Sequence, residues 1–380
     1  MSRHYLDHAS TSPPRPGVAD AMAGWAGGAV ADPGRLHLEG RTARALLEEA
    51  RATIADFLEV APRQVVLTSG GTEAVNAAVW GATAARPGAP VVLADVEHSS
   101  VRDASFRSAP TRIVPVDGHG RLRLDRLAAE LEGGGPPPAL VHCQWANHEV
   151  GTTQPVAEVV ALCRSFGVPL HVDAAAACGQ CELGLAALDA DLVSVSAHKL
   201  GGPPGIGALV VRRGLRLAPL LVGGSEERAR RAGMENVPGA LGFAAAVAGL
   251  GGGDRRRLGD GAARASDQVA ALTAAALGVD GVRVVGDPDP AGRVPHILCV
   301  AVDGVEAEAV LLGLDRAGIA AHSGSACSSE SFEPSKVLAA MGADPSGSLR
   351  LSVGWSTTDA DLAAFAEAFP SVVAELRSLR

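Results

Sequence analysis

Only two lysines stand in this sequence, Lys199 and Lys336, and arginine carries nearly all the remaining positive charge. An arginine keeps its proton near neutral pH and forms no imine, whereas a partly desolvated lysine can lose its proton and form one. Lys199 closes the stretch Leu192-Val-Ser-Val-Ser-Ala-His-Lys199, a β-like run that ends in a polar step and breaks on Gly201-Gly-Pro-Pro-Gly205. It therefore stands at the carboxyl end of a strand, where open α/β sheets place ligands. Lys336, in Glu333-Pro-Ser-Lys-Val-Leu338, reads as a lysine kept by chance. Asp173, 26 residues before Lys199, ends another strand-like run, Leu170-His-Val-Asp173. Such a carboxylate suits holding a proton on a ring nitrogen, and alone it would equally suit capping the next helix. Gly70-Gly71-Thr72 follows a short apolar strand and opens a helix, so backbone amides and the positive end of the helix dipole face an incoming anion. His98 adds a flat ring at the end of a further strand. An anion cradle, a flat ring, a carboxylate and an amine, in this order, are the pieces that a pyridoxal 5'-phosphate enzyme needs.

The elements that must position these groups alternate. Strands are expected at 65–68, 90–94, 138–145, 170–173, 192–196 and 206–212, with helices such as 41–58 and 156–166 between them. This is a βαβ pattern, and it predicts an α/β fold with a mainly parallel sheet whose strands each end in a polar residue. Tyr5 to Pro16 reads as an extended arm crossing the surface. A composition shift at Gly251-Gly-Gly-Asp-Arg-Arg-Arg257 places a boundary there, with a large domain over 15–253 and a smaller α+β domain formed by 1–14 and 254–380. That smaller domain holds the loop Ala321 to Pro334, rich in serine and containing Cys327. Its small polar neighbours describe an exposed loop in which a thiol reaches a substrate and carries sulfur outward.

Composition narrows the function classes. With 380 residues, 47% hydrophobic and 20% charged, the chain is long enough for a large core and reads as soluble. A net charge of −9 excludes direct gripping of nucleic acid, which requires a basic surface. The uncharged run Asn236 to Gly253 carries Pro238 and many glycines, and reads as a packed helix rather than a membrane span. The first residues form no apolar leader, and six cysteines without a dense framework fit reduced thiols in the cytoplasm. Cys178 and Cys181 form a C-x-x-C, but no second pair stands at zinc spacing, so they read as packing and no metal site is expected.

The stretches Tyr5-Leu-Asp7, Ser69-Gly-Gly-Thr-Glu73, Glu97-His98, Glu149-Val-Gly151, His171-Val-Asp173, Ser196-Ala-His-Lys199, Pro204-Gly-Ile-Gly-Ala208, Glu235-Asn-Val-Pro-Gly239, Ser323-Gly-Ser-Ala-Cys-Ser328 and Arg350 resemble the class V aminotransferase-fold cysteine desulfurases of the NifS/IscS type over nearly the whole chain. The resemblance implies fold type I of the pyridoxal-phosphate enzymes, with a seven-stranded sheet in the large domain. It implies Lys199 as the Schiff-base lysine, Asp173 as the partner of the ring nitrogen, and His98 as the residue stacked on the ring. Gly71, Thr72, Ser196 and His198 would hold the phosphate, and Arg350 the substrate carboxylate, for which its planar fork is suited. Cys327 would be the nucleophile: L-cysteine displaces Lys199, Cα is deprotonated, and the Cys327 thiolate takes the substrate sulfur as a persulfide while alanine leaves. The implied partners are L-cysteine, a sulfur-acceptor protein and a second copy in a homodimer.

Three positions depart from that pattern. The family has Asn at His148 and Gln at Ala176, both near the cofactor's phenolic oxygen, so the His148 imidazole is expected to supply the remaining hydrogen bond, with Asn147 as the substitute. A Thr that reaches the partner subunit's phosphate is replaced by Met234, which cannot donate. Selenocysteine cleavage, another class V reaction, or a weakly active sulfur carrier or assembly scaffold are the alternatives. Iron–sulfur assembly, tRNA thiolation and DNA phosphorothioation all draw on such enzymes, and the length and altered cofactor contacts resemble the DndA-type branch that serves the last.

Overall fold

A computed structural model of the chain describes residues 3–28, 31–181, 188–323 and 335–379. After a two-residue strand, His4–Tyr5 (β1), come Val65–Thr68 (β2), Val91–Ala94 (β3), Thr111–Val114 (β4), Leu140–Gln144 (β5), Leu170–Asp173 (β6), Leu192–Ser196 (β7) and Gly207–Val211 (β8). Strands β2 to β8 form a seven-stranded sheet of order β2-β8-β7-β6-β5-β3-β4. Pairings from β4 through β3, β5 and β6 to β7 are parallel, and β8 runs antiparallel to both of its neighbours. Strands β2, β3, β5, β7 and β8 are buried along their whole length, as strands covered on both faces must be. Helices Leu38–Phe57 and Val156–Ser165 pack into one core with Leu67, Val141, Val172 and Val195, while Gly71–Ala85 and Ser99–Ser108 cover the opposite face over Val66, Leu93 and Leu209.

On that second face the period of two along β5, β6 and β7 sets out His142, Gln144, His171, Asp173, Ser194 and Ser196. Each alternates with an apolar residue, Val141, Cys143, Val172, Val193 or Val195, that faces the first core. The polar row is what the site is built on. Two glycines let the loop after β2 come close to it: a Cβ on Gly207 would lie 2.7 Å from the carbonyl carbon of Gly70, whose φ of 154° is itself a glycine conformation.

The remaining strands, Val282–Val284 (β9), Ile297–Val302 (β10), Ile319–Ala320 (β11) and Ser348–Ser352 (β12), make a three-stranded antiparallel sheet β12-β10-β9 and a parallel pair β1-β11. Helices Arg255–Leu277 and Asp359–Ser378 pack on it. Every residue of β10 is buried, and its two faces serve different cores: Ile297, Cys299 and Ala301 join the core of the large sheet, Leu298, Val300 and Val302 that of the smaller one. The two sheets therefore share a seam. The arm expected to cross the surface is sunk into it. Leu6, His8, Ala9 and Ser12 are buried, because β1 pairs with β11 and the Leu6 carbonyl accepts from the Ser352 amide at 2.7 Å.

One turn runs against local preference. Glu227, Arg228 and Ala229 all have left-handed φ values, 48°, 59° and 60°, each unfavourable for a residue with a Cβ. Tertiary contacts hold it: the Glu227 carboxylate takes two bonds from buried Arg51, at 2.6 and 2.7 Å, and one from the Leu67 amide at 3.0 Å. Two residues further on, Arg231 pairs with Glu73 at 3.0 Å and braces the start of helix Gly71–Ala85. Among the described residues no helix is long and apolar enough to cross a membrane, and the run after Asn236 is a packed helix, Val237–Gly249.

Candidate active site

The polar row, the two-glycine loop and the arm enclose a cavity of about 300 Å³ lined by Gly71, Thr72, His98, Asp173, Ser196, His198, Lys199 and Arg350, with Gln144, His148 and Ala176 among the others. Of the residues singled out from sequence, these are brought together at one sheet edge. Lys199 sits in a short 3₁₀ turn, Ala197–Leu200, directly after β7. Its Nζ donates to the Ala9 carbonyl at 2.5 Å, so the arm holds the amine. Asp173 ends β6, and its Oδ1 accepts from the Ser194 hydroxyl and the Ala175 amide, each at 3.0 Å. Both bonds fall on one oxygen and fix the carboxylate's direction.

Helix Gly71–Ala85 begins at the cavity, and its N-cap Gly70 offers no side-chain cap. The first-turn amides therefore keep donors for an anion, joined by the hydroxyls of Thr72 and Ser196. Beside them His198 is pushed down to about 4, first by burial and then by the charge of Lys199, so the ring is neutral at pH 7. His98 caps helix Ser99–Ser108, with Nδ1 accepting from the Ser100 amide at 3.1 Å. Its ring meets that of His148 edge to face, 5.0 Å between centroids. His148 is held well below the usual histidine range by burial and by the nearby His98, Lys199, Arg350 and His322. Its Nε2 stands 3.6 Å from the Glu149 carboxylate, beyond hydrogen-bonding reach.

Asn147 does not belong to this group. It is wholly buried, its Nδ2 donates to the Val96 carbonyl at 3.2 Å, and its Oδ1 accepts from the Glu149 and Val150 amides. Its oxygen serves the turn and its nitrogen the Val96 carbonyl, and the side chain is not among those lining the cavity, where a substrate contact or the substitute role foreseen for it would place it. Cys327 lies outside the described residues.

Arg350, from β12, forms the wall opposite the sheet. It is 1% exposed, with Nη1 on the His148 carbonyl at 2.8 Å and Nη2 on Asp7 at 2.9 Å and the Ser10 hydroxyl at 2.7 Å. Its Nε–H is buried and has no partner among the described residues. A buried donor left unmade costs about 1–3 kcal/mol, and an acceptor brought by a ligand would relieve that. Sequence reasoning missed Gln144, whose Nε2 donates to the Val96 carbonyl at 3.1 Å, and missed the arm residues Ala9, Ser10 and Asp7 as parts of the site. The alternation of polar and apolar residues in Leu140-Val-His-Cys-Gln144 carried the signal for the first.

The donor set fits pyridoxal 5'-phosphate. It has one amine, one oriented carboxylate and a helix start with free amides and two hydroxyls. Residues 4–365 match the class-V aminotransferase family. The chain is 38% identical to a cysteine desulfurase of Cereibacter sphaeroides, covering 100% of this chain and 98% of that one, and 38% identical to an IscS-like cysteine desulfurase of Mycobacterium tuberculosis, covering 98% and 97%. Among solved structures it is similar to a NifS-like protein with a TM-score of 0.88 at 26% identity over 98% of this chain and 100% of that one, and to a NifS-like protein from Rickettsia africae with a TM-score of 0.85 at 26% identity over 97% and 99%. The chain belongs to the class-V aminotransferase family, among its pyridoxal-phosphate-dependent cysteine desulfurases of the NifS/IscS type.

Proposed function

We propose that this protein takes L-cysteine, releases L-alanine and leaves the sulfur as a persulfide on Cys327, from which an acceptor protein collects it. The observation that carries the reading is the meeting of one amine, one carboxylate and one anion cradle in a single cavity, facing an arginine with an unmet buried donor. The full-length likeness to cysteine desulfurases supports the choice of substrate.

When bound, the cofactor supplies an aldehyde for an amine and a ring that draws electrons from the neighbouring carbon. Gly71, Thr72, Ser196 and His198 would hold its phosphate, and neutral His198 adds no charge of its own. Asp173 would keep the ring nitrogen protonated, and Ser194 and Ala175 prevent the carboxylate from turning away. His98 and His148 would hold the ring, the latter through its imidazole. Arg350 would take the substrate carboxylate while Asp7 and Ser10 keep the guanidinium in place. Lys199 moves a proton at Nζ, taking it from the substrate Cα. Cys327 attacks as thiolate. The new S–S bond forms as the substrate C–S bond breaks, and the released carbon takes up a proton as alanine leaves.

A homodimer would cover Val222 and Met234, which are 80% and 58% exposed, the Met234 thioether offering no donor across such an interface. The five described cysteines are free thiols, in keeping with the reducing cytoplasm. Borohydride reduction followed by peptide mapping tests the core of the reading: the pyridoxyl group is expected on Lys199. With an added dithiol, which reduces the persulfide and is itself oxidised to a disulfide, cysteine turnover is expected to yield alanine and sulfide in equal amounts, and Cys327→Ser to lose both the persulfide and the sulfide. A tether on another residue, or none, overturns the proposal.

A further inference from the structure

A second carboxyl group stands behind Asp173, outside the cavity lining. Glu97 follows β3, and its side chain turns inward until only 3% of the residue is exposed. Oε1 accepts the Gln144 backbone N–H at 2.6 Å, and Oε2 is buried with no hydrogen-bond partner among the described residues. Gln144 is the register partner of Asp173 across β5 and β6, and the next amide, that of Trp145, donates to the Asp173 carbonyl at 2.8 Å. One carboxyl thus grips the strand end beside the strand end that carries the other. The same stretch makes further grips, since the Val96 carbonyl accepts from the side chains of both Gln144 and Asn147.

A buried carboxylate with one hydrogen bond is poorly compensated. Three groups face Glu97: Asp173 on β6, the Cys143 thiol on β5, and Arg102 on helix Ser99–Ser108. Arg102 is held on Asp95 at 2.9 Å, which spends much of its charge elsewhere. Burial first and the charge of Asp173 second push the Glu97 carboxyl up to about 8, against smaller opposing effects of the Gln144 amide and Arg102. Meanwhile Asp173 is the one acidic side chain lining the cavity among the described residues.

We propose that Glu97 is a positioning residue that works as an uncharged carboxylic acid, fixing the end of β5 against Asp173 and leaving Asp173 as the single anion beneath the cofactor ring. The proposal rests on the assignment of Lys199 and Asp173 to the cofactor. Ionised, Glu97 would set a second negative charge behind the first and draw the ring nitrogen's proton more tightly. Neutral, it contributes shape and one hydrogen bond.

The test compares wild type, Glu97→Gln and Glu97→Leu as holoenzymes without substrate, following the absorbance of the bound cofactor from pH 6 to 9.5. The Lys199 linkage adds its own inflection in all three, so the difference between proteins is what is read. Wild type is expected to show a step near pH 8 that Glu97→Gln lacks. Below pH 7 the Gln variant, which keeps the acceptor for the Gln144 amide, is expected to match wild type in spectrum and in cofactor Kd within about twofold. Glu97→Leu strands that amide and is expected to weaken cofactor binding about tenfold. Infrared spectra of the cofactor-free proteins give a second readout. A protonated carboxyl band at pH 7 is expected in wild type and absent from Glu97→Gln, even where the Lys199 assignment fails. A shifted spectrum or Kd for Glu97→Gln at pH 6.5 would mean that the charge is needed and would overturn the proposal, as would the absence of the carboxyl band.

Discussion

The two largest fully buried side chains are both arginines, each 1% exposed, and they are bonded differently. Arg51, beneath the left-handed turn, is satisfied on all three nitrogens: Nε by Glu48, Nη1 by Glu227 and the Val65 carbonyl, and Nη2 by Glu227 again. Arg350, at the cavity, bonds through both Nη atoms and leaves Nε–H buried and unmet among the described residues. Burial is equal, so burial does not distinguish a structural cation from a recognition site. Within this pair, completeness of hydrogen bonding and place do. Arg51 needs nothing more and holds the fold, while Arg350, short of an acceptor and at the cavity wall, is the one for which we propose a ligand.

The sharpest way to break this comparison is to remove one charge from the complete pair. Glu227→Gln leaves Arg51 buried with only the half-exposed Glu48 beside it, and the left-handed turn loses its anchor. Loss of one partner from a buried pair costs about 3–5 kcal/mol, and a fall of that size in the denaturant-unfolding free energy is expected. Cofactor content and turnover per folded molecule should stay near wild type. A variant as stable as wild type would show Arg51 to be no more structural than Arg350.

Arg350→Lys is the converse experiment. The ammonium keeps the charge opposite Asp7 but lacks the planar fork, so stability should change little. Losing a buried charge-assisted contact to the substrate carboxylate is worth about 2–4 kcal/mol, or roughly 30- to 10³-fold in kcat/KM for cysteine. The loss should appear mainly in KM. An unchanged KM would separate the unmet Nε from substrate binding.

How much of this could be read from sequence follows from what each residue does locally. Lys199 and Asp173 were legible because each closes an apolar strand, and because an arginine-rich chain that retains a lysine advertises its amine. Gly71 and Thr72 were legible from a strand–glycine–helix step. Asn147 was ambiguous, since an Asn after a strand is also what a turn needs, and here its Oδ1 caps the amides of Glu149 and Val150. Strand β4, Thr111-Arg-Ile-Val114, escaped notice because, at the sheet edge, only Val114 is buried and the four residues make no apolar run. The arm's place in the site depended on pairing with β11, more than three hundred residues away in sequence, for which five residues of local pattern hold no record. The grip of Glu97 on the Gln144 amide acquires meaning only from the register of β5 against β6.

The pH dependence of stability also separates the two regions, since Arg51 keeps its charge across the whole range while buried groups at the cavity and in the layers around it titrate. Burial pushes His8, His171 and His198 down to about 4 and His296 to about 3. The unfolded chain therefore binds more protons from these groups, and stability rises with pH up to the ordinary histidine value near 6.5. Glu97 has the opposite sign. Its folded pKa of about 8 lies above the ordinary glutamate value, so the folded state holds the extra proton and stability falls as pH rises through that window. Below 6.5 these histidines, joined by the buried His142 and His148, outweigh one glutamate. Between about 6.5 and 8 Glu97 dominates, at up to about 1.4 kcal/mol per pH unit, and above that the thiols pushed up by burial add a decline of the same sign. Unfolding of the cofactor-free protein should show greatest stability near pH 6.5 and a decline between pH 6.5 and 8 that Glu97→Gln removes. A decline retained in that variant would assign it to another group.

The smallest expected effect tests the finest distinction at the cavity wall. Arg350 bonds to the backbone carbonyl of His148, not to its ring, so replacing the ring leaves the arginine's bond in place. His148→Ala should accordingly keep KM for cysteine within a few fold and keep the unfolding midpoint close to wild type, apart from the cost of the space vacated beside His98. What it should change is the cofactor: a shifted absorbance and a Kd weaker by about tenfold, the worth of one hydrogen bond of about 1.4 kcal/mol. Equilibrium dialysis against free pyridoxal phosphate measures the second without reference to turnover. An unchanged spectrum and Kd would reduce His148 to the residue whose carbonyl steadies Arg350, and leave the unmet Nε–H as an open donor on that wall among the described residues.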